Sequence, residues 1–421
     1  MQSHGVTQSE AKNQTIPRSR ALDRYVSVLD STLEYSRRRG YAGPDYGDGM
    51  SSELLQAFPL ENRLLNLGVQ EIVKRTPVDV RPLLRVEHRR NYKGAALFAM
   101  ANLNYHELAC ALGTRADVSF DPQAEAATLA DWLLEERITG YSGFCGGHRH
   151  EIQHLHTKGV PSDPDIVSTT YAVRALLRAA SLDDRYAEIA RTASSFLVED
   201  LNYREVSEGA KIDYHMNHPE DSYTLNSAAL GAGMLVDLYA DTGEDELRHR
   251  AARILDHVAA HQTEIGGWPY RLPADASHLS MDSHHNGFII ESFQRYRDVV
   301  DDGRYSDTLS SALEFYRNEL FELDGAPNFD ETNAYPRDIH ASTQGMLVFT
   351  REGDLEFAER LLRWVLANLQ VEPGRFYFRK HRYHTKRVTL MRWCQAWMSY
   401  AVSEFLLAAS DRMATETDGF R

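Results

Sequence analysis

The sequence predicts an all-α fold, an α/α toroid: a ring of helical hairpins with long loops gathered at one end and few short strands. Three observations predict it. Apolar residues recur at i, i+3 and i+4 in segment after segment. The segments come in pairs joined by short polar turns such as DTGED, VDDGR and REGD. The connections between pairs are often long and rich in Gly, His, Tyr and Trp. Runs that alternate apolar and polar residues are few, and GRFYFRKHRYH (374–384) is the best candidate for a hairpin arm.

The elements follow in order. Residues 21–39 place Leu22, Tyr25, Val26, Leu29 and Leu33 on one helical face. Residues 121–138 repeat the pattern behind Asp121, a residue type suited to capping a helix N-terminus. The same periodicity marks 165–181, 185–201, 225–243, 245–262, 286–300, 304–320, 340–353, 355–369 and 391–410. QTEIGGWPY (262–270) has two readings. Gln262 and Trp268 staple neighbouring hairpins, or Trp268 and Tyr270 border the central cavity. Residues 1–20 read as a disordered tail, 21–410 as a single toroid domain and 411–421 as a second tail.

Composition narrows the function. A hydrophobic content of 43% with 25% charged residues is that of a globular chain with a large core. The formal net charge of −15 argues against nucleic acid and anionic lipid as partners, since both require a basic surplus. No apolar run reaches the length of a membrane span. The N-terminus is polar, without the apolar stretch of a secretion signal. Cys110, Cys145 and Cys394 form a sparse, odd set, suited to reduced thiols. These features place the chain in the cytoplasm.

The stretch HEIQH (150–154) spells H-E-x-x-H, the zinc-protease pattern, which needs its two His one helical turn apart. Here GFCGG precedes it and TKGVPSDP follows, and such Gly and Pro leave little room for a long helix. The match reads as fortuitous. No metal and no cofactor is expected, and His148, His150 and Gln153 become hydrogen-bonding groups of a loop that reaches into the cavity.

Chemistry concentrates in four loops. WPYRLPADASHLSMDSHHNGFIIESF places Asp282, His284 and His285 where an apolar helix begins. Asp282 suits a cap, and an imidazole beside it suits a general base or acid near neutral pH. YPRDIHASTQGM repeats the grammar, with Tyr335, then Asp338, then His340. The basic, aromatic run 374–393 offers Arg379 as an anion site, followed by Arg392 and Trp393. An Arg inside an apolar helix must bond a carboxylate or face the cavity. KIDYHMNHPEDSYTLNSAALGA contributes Tyr214. The candidate catalytic set is therefore Asp282, His285, Asp338, His340 and Tyr214. The candidate substrate-binding set is His148, Gln153, Trp268, Tyr270, His284, Tyr335, Arg379, Arg392 and Trp393. Aromatic faces mixed with carboxylates and Arg suit a sugar better than a hydrocarbon.

In order along the chain, GYAGPDYGDGMSSELL, RPLLRVEHRRNYKGAALF, GYSGFCGGHRH, IVSTTYAVRALL, LNSAALGAGML, QTEIGGWPYR, DSHHNGFIIESF, YPRDIHASTQGM and MRWCQAWMSYAV resemble a family of α/α-toroid proteins associated with bacterial and archaeal polysaccharide and glycan biosynthesis. The resemblance spans about Gly40 to Leu407. It implies a fold shared with six-hairpin uronate epimerases, polysaccharide lyases, glycosidases and isoprenoid cyclases. The chain departs from the family pattern at CGGHRHEIQ, where the family carries CWGY.F.WQ, and at DSHHNGF, where it carries DNFHTGF. His285 then matches the family His and His284 is extra. The expected function is acid/base chemistry on a uronic-acid-type sugar, by C5-epimerisation or β-elimination. Arg379 or Arg392 would neutralise the carboxylate, while His285, His340, Tyr214 or Tyr270 moves the proton. The alternatives are a glycoside hydrolase with Asp282 and Asp338 as paired carboxylates, a non-catalytic glycan-binding protein, and an isoprenoid cyclase or transferase.

Overall fold

The computed structural model of the chain describes residues 18–57, 62–114, 120–153, 158–215 and 223–418. Its helices are α1 (Arg18–Arg37), α2 (Glu53–Gln56), α3 (Arg63–Arg75), α4 (Arg81–Leu84), α5 (Tyr92–Ala111), α6 (Pro122–Glu135), α7 (Ile166–Ala179), α8 (Arg185–Arg191), α9 (Ala193–Ser195), α10 (Leu225–Thr242), α11 (Asp245–Ala259), α12 (Ser283–Val300), α13 (Ser306–Glu319), α14 (Ile339–Arg351), α15 (Leu355–Asn368) and α16 (Trp397–Asp418). The strands are two or three residues long and pair antiparallel.

Packing closes a ring. α5 packs on α7, α7 on α10, α10 on α12, α12 on α14, α14 on α16, and α16 back on α5. Outside this ring, α6, α8, α11, α13 and α15 each cover the inner helix that precedes them, and α1 covers α16. The fold is the expected α/α toroid.

Sequence explains which helix sits where. The outer helix α15 shows one apolar stripe, with Phe357, Ala358, Leu361, Leu362 and Val365 buried and Arg360 and Arg363 turned out. The inner helix α5 is buried on every side, from Tyr92 through Tyr105. α10 is likewise buried from Leu225 to Val236. One continuous buried cluster runs from Leu22 to Leu406.

Two boundaries differ from expectation. The helix expected over 185–201 breaks into α8, α9 and a π turn at Phe196–Asp200. The tail expected from 411 is instead the end of α16, which continues to Asp418. Among the described residues no helix is long and apolar enough to cross a membrane.

Each inner helix is followed by an outer one that returns the chain, so the inner helices run parallel and start at the same end. Side chains cap the first turns of α5, α7, α12 and α14 there. Asn91 accepts from the Gly94 amide at 3.0 Å, Asp165 from Ser168 at 2.7 Å, Asp282 from His285 at 3.2 Å and Asp338 from Ala341 at 2.8 Å. Each cap contributes about 1 kcal/mol. It also aims the positive end of a helix dipole at this mouth.

The axis of the ring is closed further down by buried ions. Arg174 bonds Asp237 at 2.9 Å and Glu291 at 3.1 Å, Arg295 bonds the same two carboxylates at 2.8 and 3.0 Å, and Gln344 donates to Glu291 at 3.0 Å. Glu291 lies nine residues below Asp282 on one helix, about 13 Å along its axis.

Candidate functional site at the mouth of the ring

The mouth is built from the first turns of the inner helices. Asp282 caps α12, bonds the His285 imidazole and lies beside that of His284. His285 Nδ1 lies 2.7 Å from Oδ2 and His284 Nδ1 3.0 Å from Oδ1. A carboxylate only accepts, so the His285 ring presents its Nδ1–H to it. Burial alone would raise the Asp282 carboxyl, but His285 and His284 outweigh it and hold it down to about 2. Burial and the neighbouring His285 push His284 down to about 4, so it is a neutral imidazole at pH 7.

His340, on the first turn of α14, stacks on His284 with ring centroids 4.7 Å apart. Trp393 meets it edge-on at 4.6 Å and Trp397 lies at 4.5 Å. His340 is 1% exposed, and neither of its ring nitrogens has a hydrogen-bond partner. Burial, then the nearby His284 and Lys93, hold it neutral, well below the ordinary histidine value. A buried imidazole with two unpartnered nitrogens is costly unless something else bonds it. His148 Nδ1, His150 Nε2, Trp393 Nε1 and Ser283 Oγ are likewise buried and unpartnered.

Lys93 was not among the residues singled out from the sequence. It enters from the first turn of α5 and is 6% exposed. Its Nζ lies 5.5, 5.7 and 5.8 Å from the ring centres of Tyr171, Phe288 and Trp397. Burial, reinforced by Arg392, lowers it to about 7. It can therefore give or take a proton near neutrality.

The two arginines expected to neutralise a substrate carboxylate are already committed. Arg379 donates Nε and Nη2 to Asp338 at 3.3 and 3.1 Å, and Arg392 donates the same edge to Asp45 at 2.9–3.1 Å. Asp45 also accepts from Asn91 at 2.7 Å. Arg392 bonding a carboxylate is one of the two outcomes its place in an apolar helix required. Among the described residues, no carboxylate lies at salt-bridge distance from Lys93.

Asp338 and Asp282 are both engaged by the fold. Asp338 caps α14 and pairs with Arg379, and Asp282 caps α12 with His285 bonded to it and His284 beside it.

The remaining candidates divide. The Tyr270 ring lies 4.4 Å from His285 and belongs to the mouth. Trp393 touches His284 and His340. Burial and the Arg392 charge hold the His148 imidazole well below its ordinary value, close to the Asp45–Arg392 pair. Trp268 is not a cavity residue: it is 1% exposed, stacks on Phe293 at 5.7 Å and donates Nε1–H to Val258 at 2.8 Å. It staples, as does Gln262, whose amide donates to Gly266 and Thr308 carbonyls. Gln153 is bonded to Asn66 and Gln70 of α3, so it fastens that helix to the loop rather than addressing the cavity. Tyr335 is 38% exposed and its ring lies under Arg337. Tyr214 packs on His215 at 3.9 Å. Asp282, His284 and His285 each offer a ligand atom, all within 4.8 Å of one another, so the spacing also admits a metal ion.

The zinc-protease pattern fails on geometry. Ile152–Gln153 is a strand paired antiparallel with Lys158–Gly159, so 150–153 is not helical, and His154 lies outside the described residues.

Ring and mouth define the class, an α/α toroid with an imidazole cluster at the inner N-termini. Solved structures of the same fold include cellobiose 2-epimerase from Bacillus thermoamylovorans (TM-score 0.58, 14% identity, covering 78% of this chain and 90% of that one). An α-mannanase of family GH76 from Bacteroides thetaiotaomicron aligns with a TM-score of 0.54 at 14% identity, over 77% and 87% of the two chains. A polysaccharide lyase aligns with a TM-score of 0.53 at 10% identity, over 94% and 98%. At such identities the likeness establishes the fold alone. No family model matches the sequence. No curated protein matches it either.

Proposed function

We propose that the protein is a carbohydrate-active enzyme that moves a proton at a sugar carbon beside a carbonyl or carboxylate, as an epimerase or lyase. The observation that carries this reading is the stacked pair His284 and His340, brought from successive inner helices to 4.7 Å of each other. Both are neutral at pH 7, and His284 lies 3.0 Å from the Asp282 carboxylate. Neutral imidazoles abstract and return protons; they do not replace the protonated carboxyl of a hydrolase.

The roles divide by geometry. Nε2 of His284 or His285 is the base, the His285 ring bonded to Asp282 and the His284 ring beside it. His340, with both nitrogens unpartnered, returns the proton or holds the substrate oxygen. Lys93 and the inner-helix N-termini stabilise the negative charge that develops on that oxygen. Trp393 and Tyr270 supply aromatic faces for the sugar ring. The neighbours of this fold are named for cellobiose, mannan and polysaccharide, and carbohydrate is taken from them as the substrate class. A uronate fits Lys93 as its counter-ion, in place of the arginines first expected. A non-catalytic glycan binder would have no use for a base near neutrality or for neutral imidazoles with free nitrogens.

The test is incubation with uronate-containing glycans and reducing disaccharides in deuterated water, followed by mass spectrometry. Deuterium at carbon supports epimerisation, and unsaturated ends support elimination. Products that gain only water, or no change across the panel, defeat the reading.

A further inference from the structure

We propose a second, separate site on the outer wall of the ring that binds a borderline divalent cation, Zn²⁺ by chemical type, through Glu208, His257 and His261. These residues each offer a ligand atom, and the three atoms lie within 4.8 Å of one another. His257 lies in the last turn of α11 and His261 in the turn that follows the helix, with the two imidazole centroids 4.5 Å apart. Glu208 comes from the turn of the hairpin Arg204–Val206/Gly209–Lys211.

A second observation points to a ligand. His257 is 1% exposed, yet neither ring nitrogen has a hydrogen-bond partner. The nearest oxygen, Glu208 Oε2, is 3.9 Å from Nδ1, too far for a hydrogen bond. Two ligand atoms on a tetrahedral ion stand about 3.3 Å apart at Zn–N and Zn–O lengths near 2.0 Å. Glu208 is exposed and needs to close by only about half an ångström to reach that spacing.

The partner imidazole is already oriented. His261 Nδ1 lies 2.8 Å from the His257 carbonyl, which takes its N–H and leaves Nε2 as the ligand. Metal-bound histidines are commonly held in this way. The helix C-terminus adds a negative dipole end that favours a cation. Of the two cations close by, Arg204 is paired with Asp213 at 2.8 Å and Lys211 lies over the Tyr223 ring at 4.9 Å.

The hairpin is pressed against α11 and cannot drift from it. A side chain at Gly209 would come within 2.2 Å of the Arg253 carbonyl and 2.6 Å of the His257 amide nitrogen. With two imidazoles and one carboxylate, the donor set suits Zn²⁺ or Co²⁺ and leaves a fourth position for water. The bound ion would pin the hairpin to the helix. The same strand leads on through Asp213 to His215, which bridges to Asp165 at the α7 cap, so the pin also steadies one edge of the mouth.

The test is titration of the full chain, stripped with chelator, with Zn²⁺ by calorimetry and with Co²⁺ by visible absorption. One ion per chain and a raised unfolding temperature are expected. His261→Ala and Glu208→Gln lie at partly exposed positions and are expected to keep the fold while weakening binding about 100-fold. His284→Ala is expected to leave binding unchanged. Absence of stoichiometric binding overturns the proposal, as does binding lost in His284→Ala but kept in His261→Ala. The second result would move the ion to the mouth.

Discussion

Replacing Lys93 with Met is expected to make the protein more stable and less active. The ammonium is buried, and its pKa falls from the ordinary lysine value of 10.5 to about 7. At about 1.4 kcal/mol for each tenfold change, the fold bears a penalty of about 5 kcal/mol for the charged form. Three aromatic faces near 5.5–5.8 Å return about 0.5–1 kcal/mol each. The net penalty is therefore about 2–3 kcal/mol. Because the folded pKa lies below the unfolded one, the unfolded chain holds the extra proton between them. The penalty is full below pH 7 and fades as pH rises towards 10.5. Met fills a similar volume without the charge. Urea unfolding at pH 6, 8 and 10 should show Lys93→Met gaining about 2–3 kcal/mol at pH 6 and progressively less above. Turnover should fall by about 100-fold or more as the charge that steadies the substrate oxygen is lost. A variant less stable than the parent at pH 6, or a gain that ignores pH, refutes the reasoning.

Asp282→Asn keeps the cap but removes the charge that orients His285 and lies beside His284. Turnover is expected to drop by about 10²–10⁴ and stability by about 2–3 kcal/mol at neutral pH, read by kinetics and urea unfolding. Asp45→Asn leaves Arg392 buried without its counter-ion and should cost about 3–5 kcal/mol in urea unfolding. Asp282 and Glu291 both titrate near 2 in the fold, against ordinary values of 3.8 and 4.5. Stability from these groups is present above about pH 4.5 and lost as pH falls towards 2. The combined loss is about 6 kcal/mol, measurable as acid-induced loss of circular dichroism. Gly146→Ala would set a methyl 2.0 Å from the Tyr92 ring and should lower the melting temperature markedly.

Much of this was legible because local physics decided it. The outer helices announce themselves by a single apolar stripe, and Asp121 and Asp282 are helix caps by residue type and position. Asp-x-His and Asp-x-His-His at two helix starts did mark groups that meet at the mouth. α5 was not legible: apolar on all sides, it shows no period, and Lys93 went with it. The commitments of Arg379 and Arg392 were hidden for a different reason. Asp45 stands 347 residues from Arg392, and no sequence spacing couples them. Trp268 could be read either way, since a Trp in a Gly-rich loop serves a core as readily as a cavity. What would have pointed to Lys93 is a lone cation in the apolar run NYKGAALFAM, the same signal that singled out Arg392.

The most direct measurement is deuterium wash-in at a single sugar carbon, followed by mass spectrometry for the parent chain and for His284→Asn and His340→Asn, each first shown to melt like the parent. The account requires wash-in with the parent and its collapse in both variants. Wash-in that persists in both variants, or turnover that adds water while the carbon keeps its hydrogen, contradicts it.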